Sequence, residues 1–182
     1  MTKLIINVTV SNCRNAIITF IRAGFAVDAF AMRNGLLIAE ISEYQGMAVS
    51  KCNMDAIAQV IYEIVTMLDN NIIGSITFAI TADGCSNVTN MVTLDDIYNS
   101  TEPDRVLQDK SVRATLLAQY HAIVQAEHLA EDIAYNIHFA DCKKQVYHVD
   151  YMRYDATTLC NKLAQLGIKS YPIEHMNQLV VA

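Results

Sequence analysis

Short apolar runs separated by turn-forming residues fill the first 42 residues, and this pattern predicts β-strands. The runs are rich in β-branched residues, which favour extended backbone. They cover residues 3–10, 16–23, 25–32 and 36–41. Asn34 and Gly35 stand between the last two runs, and this pair is a strong signal for a tight hairpin because both residues tolerate positive φ. We therefore expect an antiparallel meander in this part of the chain.

The apolar spacing then lengthens to the 3.6-residue period of an α-helix. The positions that repeat with this period are Ile57, Val60, Ile61, Ile64, Val65 and Leu68. Asn53 is placed to cap the first turn of this helix, and Asp55 follows where a negative charge suits the helix dipole. Residues 72–81 return to a strand pattern and run into Asp83. We expect a helix and then a fourth strand.

A long helical pattern occupies residues 101–134, and Asp109 or Ser111 is the position where it would break in two. His128 and Asp132 are four residues apart, so one face of this helix brings them together. The titratable side chains of the same helix are His121, Glu127, His128, Glu131 and Asp132. Such a face can hold a metal ion, but a solvated polar stripe is the more common role.

One further strand and helix follow near the end of the chain. Residues 146–151 alternate as a strand, Asp155 caps the next helix, and Gly167 closes it. A chain of 182 residues fits a single domain. We therefore expect one domain over residues 1–182, with residues 168–182 as a C-terminal strand or tail.

Composition narrows the classes of function. Hydrophobic residues make up 53% of the chain and charged residues 18%, so part of the apolar content is available for a partner surface. The net charge of −6 disfavours binding to nucleic acid, which depends on Lys and Arg. No run approaches the roughly 20 apolar residues of a membrane span. The five cysteines have no metal-type spacing, and no signal-peptide pattern is present. We expect a cytoplasmic protein with no membrane partner.

The order of three strands, a helix, a strand, a helical region, a strand and a helix is similar to the ribonuclease H-like fold. Three stretches carry this resemblance, and they are residues 52–56, 76–83 and 149–167. The resemblance implies an α/β fold with a mixed sheet of about five strands and flanking helices. Its first three strands would form the antiparallel β1-β2-β3 meander.

The resemblance also implies a metal site that is only partly acidic. It assigns metal-binding carboxylates to Asp55, at the start of the first long helix, and to Asp83, after the fourth strand. Asn161 stands in the final helix where the family has an Asp, and Asn7 or Thr9 is the neutral stand-in on a first strand that carries no acid. Two-metal catalysis needs several carboxylates around its paired ions. The resemblance therefore implies at most weak binding of Mg²⁺ or Mn²⁺ and no other cofactor.

The reduced set of acids favours binding over catalysis. We predict a ribonuclease H-like domain that acts as a binding or assembly protein, with a protein partner or a second copy of itself. One alternative is an active Mg²⁺-dependent ribonuclease that cleaves RNA or an RNA–DNA hybrid, with Asp55 and Asp83 as its catalytic residues. Another alternative is an unrelated α/β module for protein interaction.

Overall fold

The structure is a computed structural model that describes residues 3–68, 77–81, 94, 109–139 and 146–182. Within these residues the fold is α/β, with four α-helices and two antiparallel sheets. The chain divides into two compact units, Met1–Leu117 and Ala118–Ala182. Each unit contains one of the two sheets.

The first unit is built on a sheet with two helical crossovers. Its strands lie in the order β2-β3-β1-β5, every described pair is antiparallel, and β4 pairs with the free side of the end of β3. Its elements are β1 (Lys3–Thr9), α1 (Cys13–Arg22), β2 (Phe25–Arg33), β3 (Leu36–Tyr44), β4 (Met47–Ala48), α2 (Met54–Leu68) and β5 (Thr77–Thr81). A 3-10 turn, Val49–Lys51, precedes α2.

This connectivity interlocks two split β-α-β units. Strands β1 and β2 are parallel because both run antiparallel to β3, which lies between them, and α1 connects them. Strands β3 and β5 are also parallel to each other, because both run antiparallel to β1, which lies between them. Helix α2 stands between these two strands in the sequence. The arrangement is the ferredoxin-like order of elements. A topology of this kind supports many unrelated functions, so it does not itself indicate an activity.

The predicted strand over residues 16–23 is wrong, because this segment is helix α1. Asn12 caps the helix by accepting a hydrogen bond from Asn15 N at 3.0 Å. The buried side chains of the helix repeat with helical spacing, and Gly24 follows its end with φ of +99°. The buried residues are Ala16, Ile17, Ile18, Phe20 and Ile21. The β-branched content of this segment gave the strand signal, but capping and burial select the helix.

Because residues 16–23 form a helix, the consecutive strands that we predicted do not form an antiparallel meander. Only the β2–β3 hairpin of that meander is confirmed, with Asn34 at φ of 49° and Gly35 at φ of 79° in its turn. Strand β1 pairs with β3 and β5, not with the strand that follows it in sequence. The predicted mixed sheet is not confirmed, since all described pairs are antiparallel.

The helix predicted after Asn53 is confirmed as α2, Met54–Leu68. Its buried stripe supplies apolar side chains to the core of the first unit, and each fully buried side chain of this kind contributes about 1.5–3 kcal/mol. The stripe consists of Ile57, Ile61, Ile64 and Val65. The predicted fourth strand is confirmed over Thr77–Thr81, while residues 72–76 of that prediction lie outside the described residues.

The second unit packs two helices on a small sheet. Its strands lie in the order β6-β8-β7, and both pairs are antiparallel. Its elements are α3 (Lys110–His138, from Ala118 onward), β6 (Val146–His148), α4 (Ala156–Gln165), β7 (Ser170–Ile173) and β8 (Gln178–Val181). Strand β8 follows the other two strands in sequence but lies between them in this sheet.

Helix α4 has the ends that its sequence predicts. Asp155 Oδ2 accepts a hydrogen bond from Thr158 N at 2.8 Å, and Gly167 closes the helix with φ of +80°. Its buried residues Leu159 and Leu163 enter a core with α3 and the sheet. That core contains Ala126, Ala130, Ile133, Ala134, Val149, Leu159, Leu163, Ile168 and Leu179. The small residues of α3 let the neighbouring elements approach its backbone closely.

Helix α3 is unbroken from Lys110 to His138. Asp109, which we considered as a break, caps its first turn by accepting hydrogen bonds from Ser111 Oγ at 2.8 Å and Ser111 N at 2.7 Å. These hydrogen bonds, with a smaller effect from the charge of Arg113, hold the pKa of Asp109 below its ordinary value. The helical pattern over residues 101–108 lies outside the described residues.

Replacing Gly24 by Ala should destabilise the first unit more than the same change at Gly46. Both glycines have positive φ, which costs a residue with a side chain about 1 kcal/mol or more. A Cβ at Gly24 would also meet Gln45 Cγ at 3.0 Å, whereas a Cβ at Gly46 meets nothing within 4 Å. We expect losses of about 2 kcal/mol for Gly24→Ala and about 1 kcal/mol for Gly46→Ala in urea denaturation. Equal losses would show that the contact with Gln45 relaxes freely.

Tyr151→Phe should weaken the second unit in a way that depends on pH. Tyr151 Oη donates a hydrogen bond to Gln178 O at 3.0 Å, so its loss should lower the free energy of unfolding by about 1 kcal/mol. Burial, assisted by the charges of Cys160 and Glu174, raises the pKa of Tyr151 from 10.0 to about 12.

The raised pKa fixes the sign of the pH effect. The unfolded phenol ionises near pH 10 while the folded one stays protonated, so the contribution of Tyr151 is complete below pH 10 and is lost as pH rises toward 12. The difference between wild type and Tyr151→Phe in denaturant midpoint should therefore shrink over this range. A difference that stays constant through that range contradicts the prediction.

Candidate functional site

The four residues that the sequence predicts for a metal site do not all lie in the same part of the protein, and the structure describes three of them. Asp83 lies outside the described residues. Asn161 is exposed on α4 of the second unit and forms no side-chain hydrogen bond within the described residues. Asn7 and Asp55 lie in the first unit, on β1 and in the first turn of α2. Within the described residues, no group of three or more His, Cys, Asp or Glu side chains is arranged to hold a metal ion.

Asp55 has the structural role of an acidic residue at a helix start. Asn53 Oδ1 accepts hydrogen bonds from Asp55 N at 2.9 Å and Ala56 N at 3.3 Å, which confirms Asn53 as the cap of α2. The Asp55 side chain is exposed beside these N–H groups, where its charge favours the helix dipole. Its predicted metal role stays a prediction.

Asn7 is a buried polar residue in the middle of the first sheet. Its side chain is 4% exposed, and its Nδ2 has no hydrogen-bond partner in the part of the chain that the structure describes. It lies on the face of β1 opposite to Leu4, Ile6 and Val8, because side chains alternate along a strand. A buried amide nitrogen without a partner costs about 1–3 kcal/mol. Asn7 therefore carries a stability penalty that an apolar residue would avoid.

Asn7→Leu should keep or raise the stability of the first unit, by up to about 1 kcal/mol, because it removes the amide while keeping the number and branching of its side-chain heavy atoms. Asn7→Asp is the opposing control, and it should lose several kcal/mol because it buries a carboxylate. Urea denaturation with and without Mn²⁺ makes the comparison. A loss for Asn7→Leu, together with a Mn²⁺-dependent gain seen only in wild type, would support the predicted metal role instead.

A cleft of about 330 Å³ lies beside the start of α2. Tyr44 and Met47 come from the β3–β4 turn, and Ile57 from the helix, while Lys51 and Asn53 add polar groups. The remaining lining residues are Gln45, Cys52 and Ala56. Cys52 Sγ lies 3.5 Å from Ala48 O and is a free thiol. The cleft has the volume of a small-molecule site. Its lining mixes apolar, polar and charged side chains, so it does not indicate one class of ligand.

A smaller cavity of about 100 Å³ lies between β2 and the first turns of α3. It combines the charged residues Asp28, Lys110 and Arg113 with four apolar ones. The apolar residues are Ala29, Phe30, Ala114 and Leu117. All of them belong to the first unit. Arg113 is only 4% exposed, so one of the cavity's two cations is held away from bulk water.

A third cavity, of about 170 Å³, lies on the second unit and involves the predicted polar stripe of α3. His128 and Asp132 line it together, as their spacing of four residues predicts, and both are exposed. Arg153 and Tyr154 close the other side. Their exposure is typical of a solvated polar stripe, and the alternative metal role of this face stays a prediction.

The second sheet carries apolar side chains on the face that does not enter its core. Val180 is the cross-strand partner of both Val146 and Tyr171, so these three side chains stand side by side across the three strands. Val146 is 42% exposed and Tyr171 is 58% exposed. We call these three residues the outer row. The next residue along β8, Leu179, points the other way and is completely buried in the core.

An apolar outer row is unusual for a small antiparallel sheet. Such sheets usually pack one face on a core and present polar residues to water on the other. The neighbouring cross-strand set on the same face consists of His148, Gln178 and Ile173, which adds one more aliphatic side chain. No carboxylate, lysine or arginine belongs to either set. Four of the six side chains on this face are therefore apolar or aromatic.

Comparisons with known proteins give no relative for this chain: no family model, no curated protein and no solved structure matches it. Its candidate sites must be judged on geometry alone. Among the described helices, none has both the length and the apolar content needed to cross a membrane.

Sequence reasoning identified none of the outer row as a site. Val146 was assigned to a strand, but Val180 and Tyr171 become its neighbours only through the strand order β6-β8-β7. The available signal was the alternation of side chains in strands of only three or four residues, which are too short to interpret alone. The cavity at Asp28 was missed for the same reason, because 85 residues separate Asp28 from Arg113.

Proposed function

We propose that this chain is an assembly protein that associates with a second copy of itself through the outer row, Val146, Val180 and Tyr171. The observation that supports this proposal is a row of three adjacent apolar side chains on the sheet face opposite the core, of which Val146 and Tyr171 are exposed and Val180 is half-buried. Covering them removes apolar surface from water, which is the main favourable contribution to protein association.

A second copy is favoured over an unlike partner by the charge of this face. In a two-fold symmetric dimer the same patch meets itself, so every charged group faces a like charge near the axis. The outer row and its neighbours His148, Gln178 and Ile173 contain no acidic side chain, lysine or arginine. Most of the chain's excess negative charge therefore stays outside such an interface.

The size of the row limits the strength of the association. Fully burying a side chain of this type contributes about 1.5–3 kcal/mol, and these residues are already partly covered. Association must also offset lost translational and rotational freedom, about 4–15 kcal/mol. The outer row and Ile173 together therefore support a weak dimer, with a Kd in the micromolar range or above.

This proposal uses no acidic metal site. It develops the binding function that the reduced set of acids favours, and it does not depend on kinship with the ribonuclease H-like fold. The nuclease alternative needs Asp83 next to Asp55, and within the described residues no observation favours it.

Tyr171→Lys should abolish self-association, because it places two like charges opposite each other in the interface. Sedimentation equilibrium of the full chain over about 1–300 μM, which brackets a Kd in the micromolar range, measures the effect. Met152→Lys is the matched control: Met152 is 93% exposed but belongs to no strand, so this variant should associate as wild type does. Circular dichroism should be the same for all three proteins.

Two results would remove the proposal. A wild-type chain that stays monomeric across the whole concentration range would contradict the proposal. Equal weakening by Tyr171→Lys and Met152→Lys would show that added charge, and not its position on the sheet, controls association. Val180→Thr, which keeps the shape of the side chain and its β-branching, should weaken the dimer less than Tyr171→Lys.

A further inference from the structure

His148 lies on the same face of the second sheet as the outer row. It follows Val146 by two positions on β6, and side chains alternate along a strand, so both point away from the core. Two residues of a strand span about 7 Å. The same cross-strand set contains Ile173, which the proposed interface includes. A second copy that covers Val146 and Ile173 therefore covers His148 as well.

The cross-strand neighbours of His148 carry no charge. Gln178 lies opposite it on β8, and Ile173 follows on β7. Val180 stands two residues from Gln178 on the same face of β8. His148 itself is exposed, so water solvates its imidazole in the free chain. Within these cross-strand sets no carboxylate is present to replace that water when the face is covered.

Four other titratable side chains belong to the segments that border His148. Asp150 follows β6 in the chain, and Glu174 and His175 stand in the 3-10 turn between β7 and β8. Tyr171 is the titratable side chain of β7 in the outer row. Asp150, Glu174 and His175 are exposed, and exposed charges act weakly on one another through water. The two carboxylates also act on a charged His148 in the opposite direction to a charged His175.

Association through this face should release protons from His148. Histidine is the side chain that changes its charge between about pH 5 and 8. In the dimer a charged His148 would lose water, and two-fold symmetry would bring the same charge from the second copy into the same interface. Both effects favour the neutral imidazole. The dimer therefore binds fewer protons than two free chains, so association weakens as pH falls and strengthens as pH rises.

We infer that His148 makes the self-association sensitive to pH, with a dimer that forms near pH 8 and weakens toward about pH 6. This inference rests on the proposed self-association through the outer row. It adds a regulatory role for a residue that is not part of the row.

The net charge of the chain acts in the opposite direction. As pH falls toward the pI near 5.2, the net negative charge decreases and two copies repel each other less. That repulsion is spread over the surface and is screened over about 8 Å at physiological salt. A charge inside the interface is less screened. We therefore expect His148 to determine the sign of the pH effect.

Sedimentation equilibrium of the full chain at about pH 8 and about pH 6, at constant ionic strength, tests the inference. The wild-type Kd should rise about tenfold at the lower pH, because each dimer excludes two protons. His148→Gln should match the wild-type Kd at the higher pH, and its Kd should stay constant or fall at the lower pH. His175→Gln is the matched control: His175 is also exposed but belongs to no strand, so this variant should keep the wild-type rise.

The outcomes separate this inference from the proposed self-association. A wild-type dimer whose Kd stays constant or falls toward the lower pH would overturn the inference and leave the self-association intact. An equal rise in Kd for wild type and His148→Gln would do the same. A wild-type chain that is monomeric at both pH values would contradict the self-association itself, and this inference with it. Circular dichroism should be the same for all three proteins, since both histidines are exposed.

Discussion

The first unit depends on strand β1, which pairs with β3 on one side and β5 on the other. Leu4, Ile6 and Val8 are buried on one face of this strand, and Ile5 and Asn7 on the other. A strand that is central in its sheet and covered on both faces loses stability with almost any change of size or polarity. Along the chain, its neighbours β3 and β5 are reached from β1 through α1, the β2–β3 hairpin and α2. The pairing of β1 with both strands therefore fixes where these elements can lie.

The elements that sequence patterns predicted correctly are those whose signals are local. The Asn34–Gly35 turn needs positive φ at both residues, and the caps at Asn53 and Asp155 need only a side-chain oxygen near the next turn. Helix α1 shows where this reasoning fails. Its β-branched residues favour a strand individually, yet Asn12 caps a helix and the spacing of buried positions is helical. Burial against the sheet outweighs intrinsic propensity, which amounts to less than about 1 kcal/mol for each residue.

The candidate sites could not be predicted in the same way, because their residues meet only through tertiary pairing. Asp55 was recognised from its place in a first helical turn, which is a local feature. The outer row requires the strand order of the second sheet, in which β8 lies between β6 and β7 although it follows both in sequence. The cavity at Asp28 combines residues of β2 with the first turns of α3, and the register shifts of β2 beside Asp28 leave no recognisable residue pattern between Ala26 and Ala29.

The net charge of this chain opposes self-association, whereas the absence of charged side chains along the outer row favours it. A net charge of −6 makes two copies repel each other, and ions screen that repulsion over about 8 Å at physiological salt. Association is then favoured where charged side chains are absent from the contact, as they are along Val146, Val180 and Tyr171. The proposed self-association is therefore consistent with an acidic chain, because it does not depend on the overall charge.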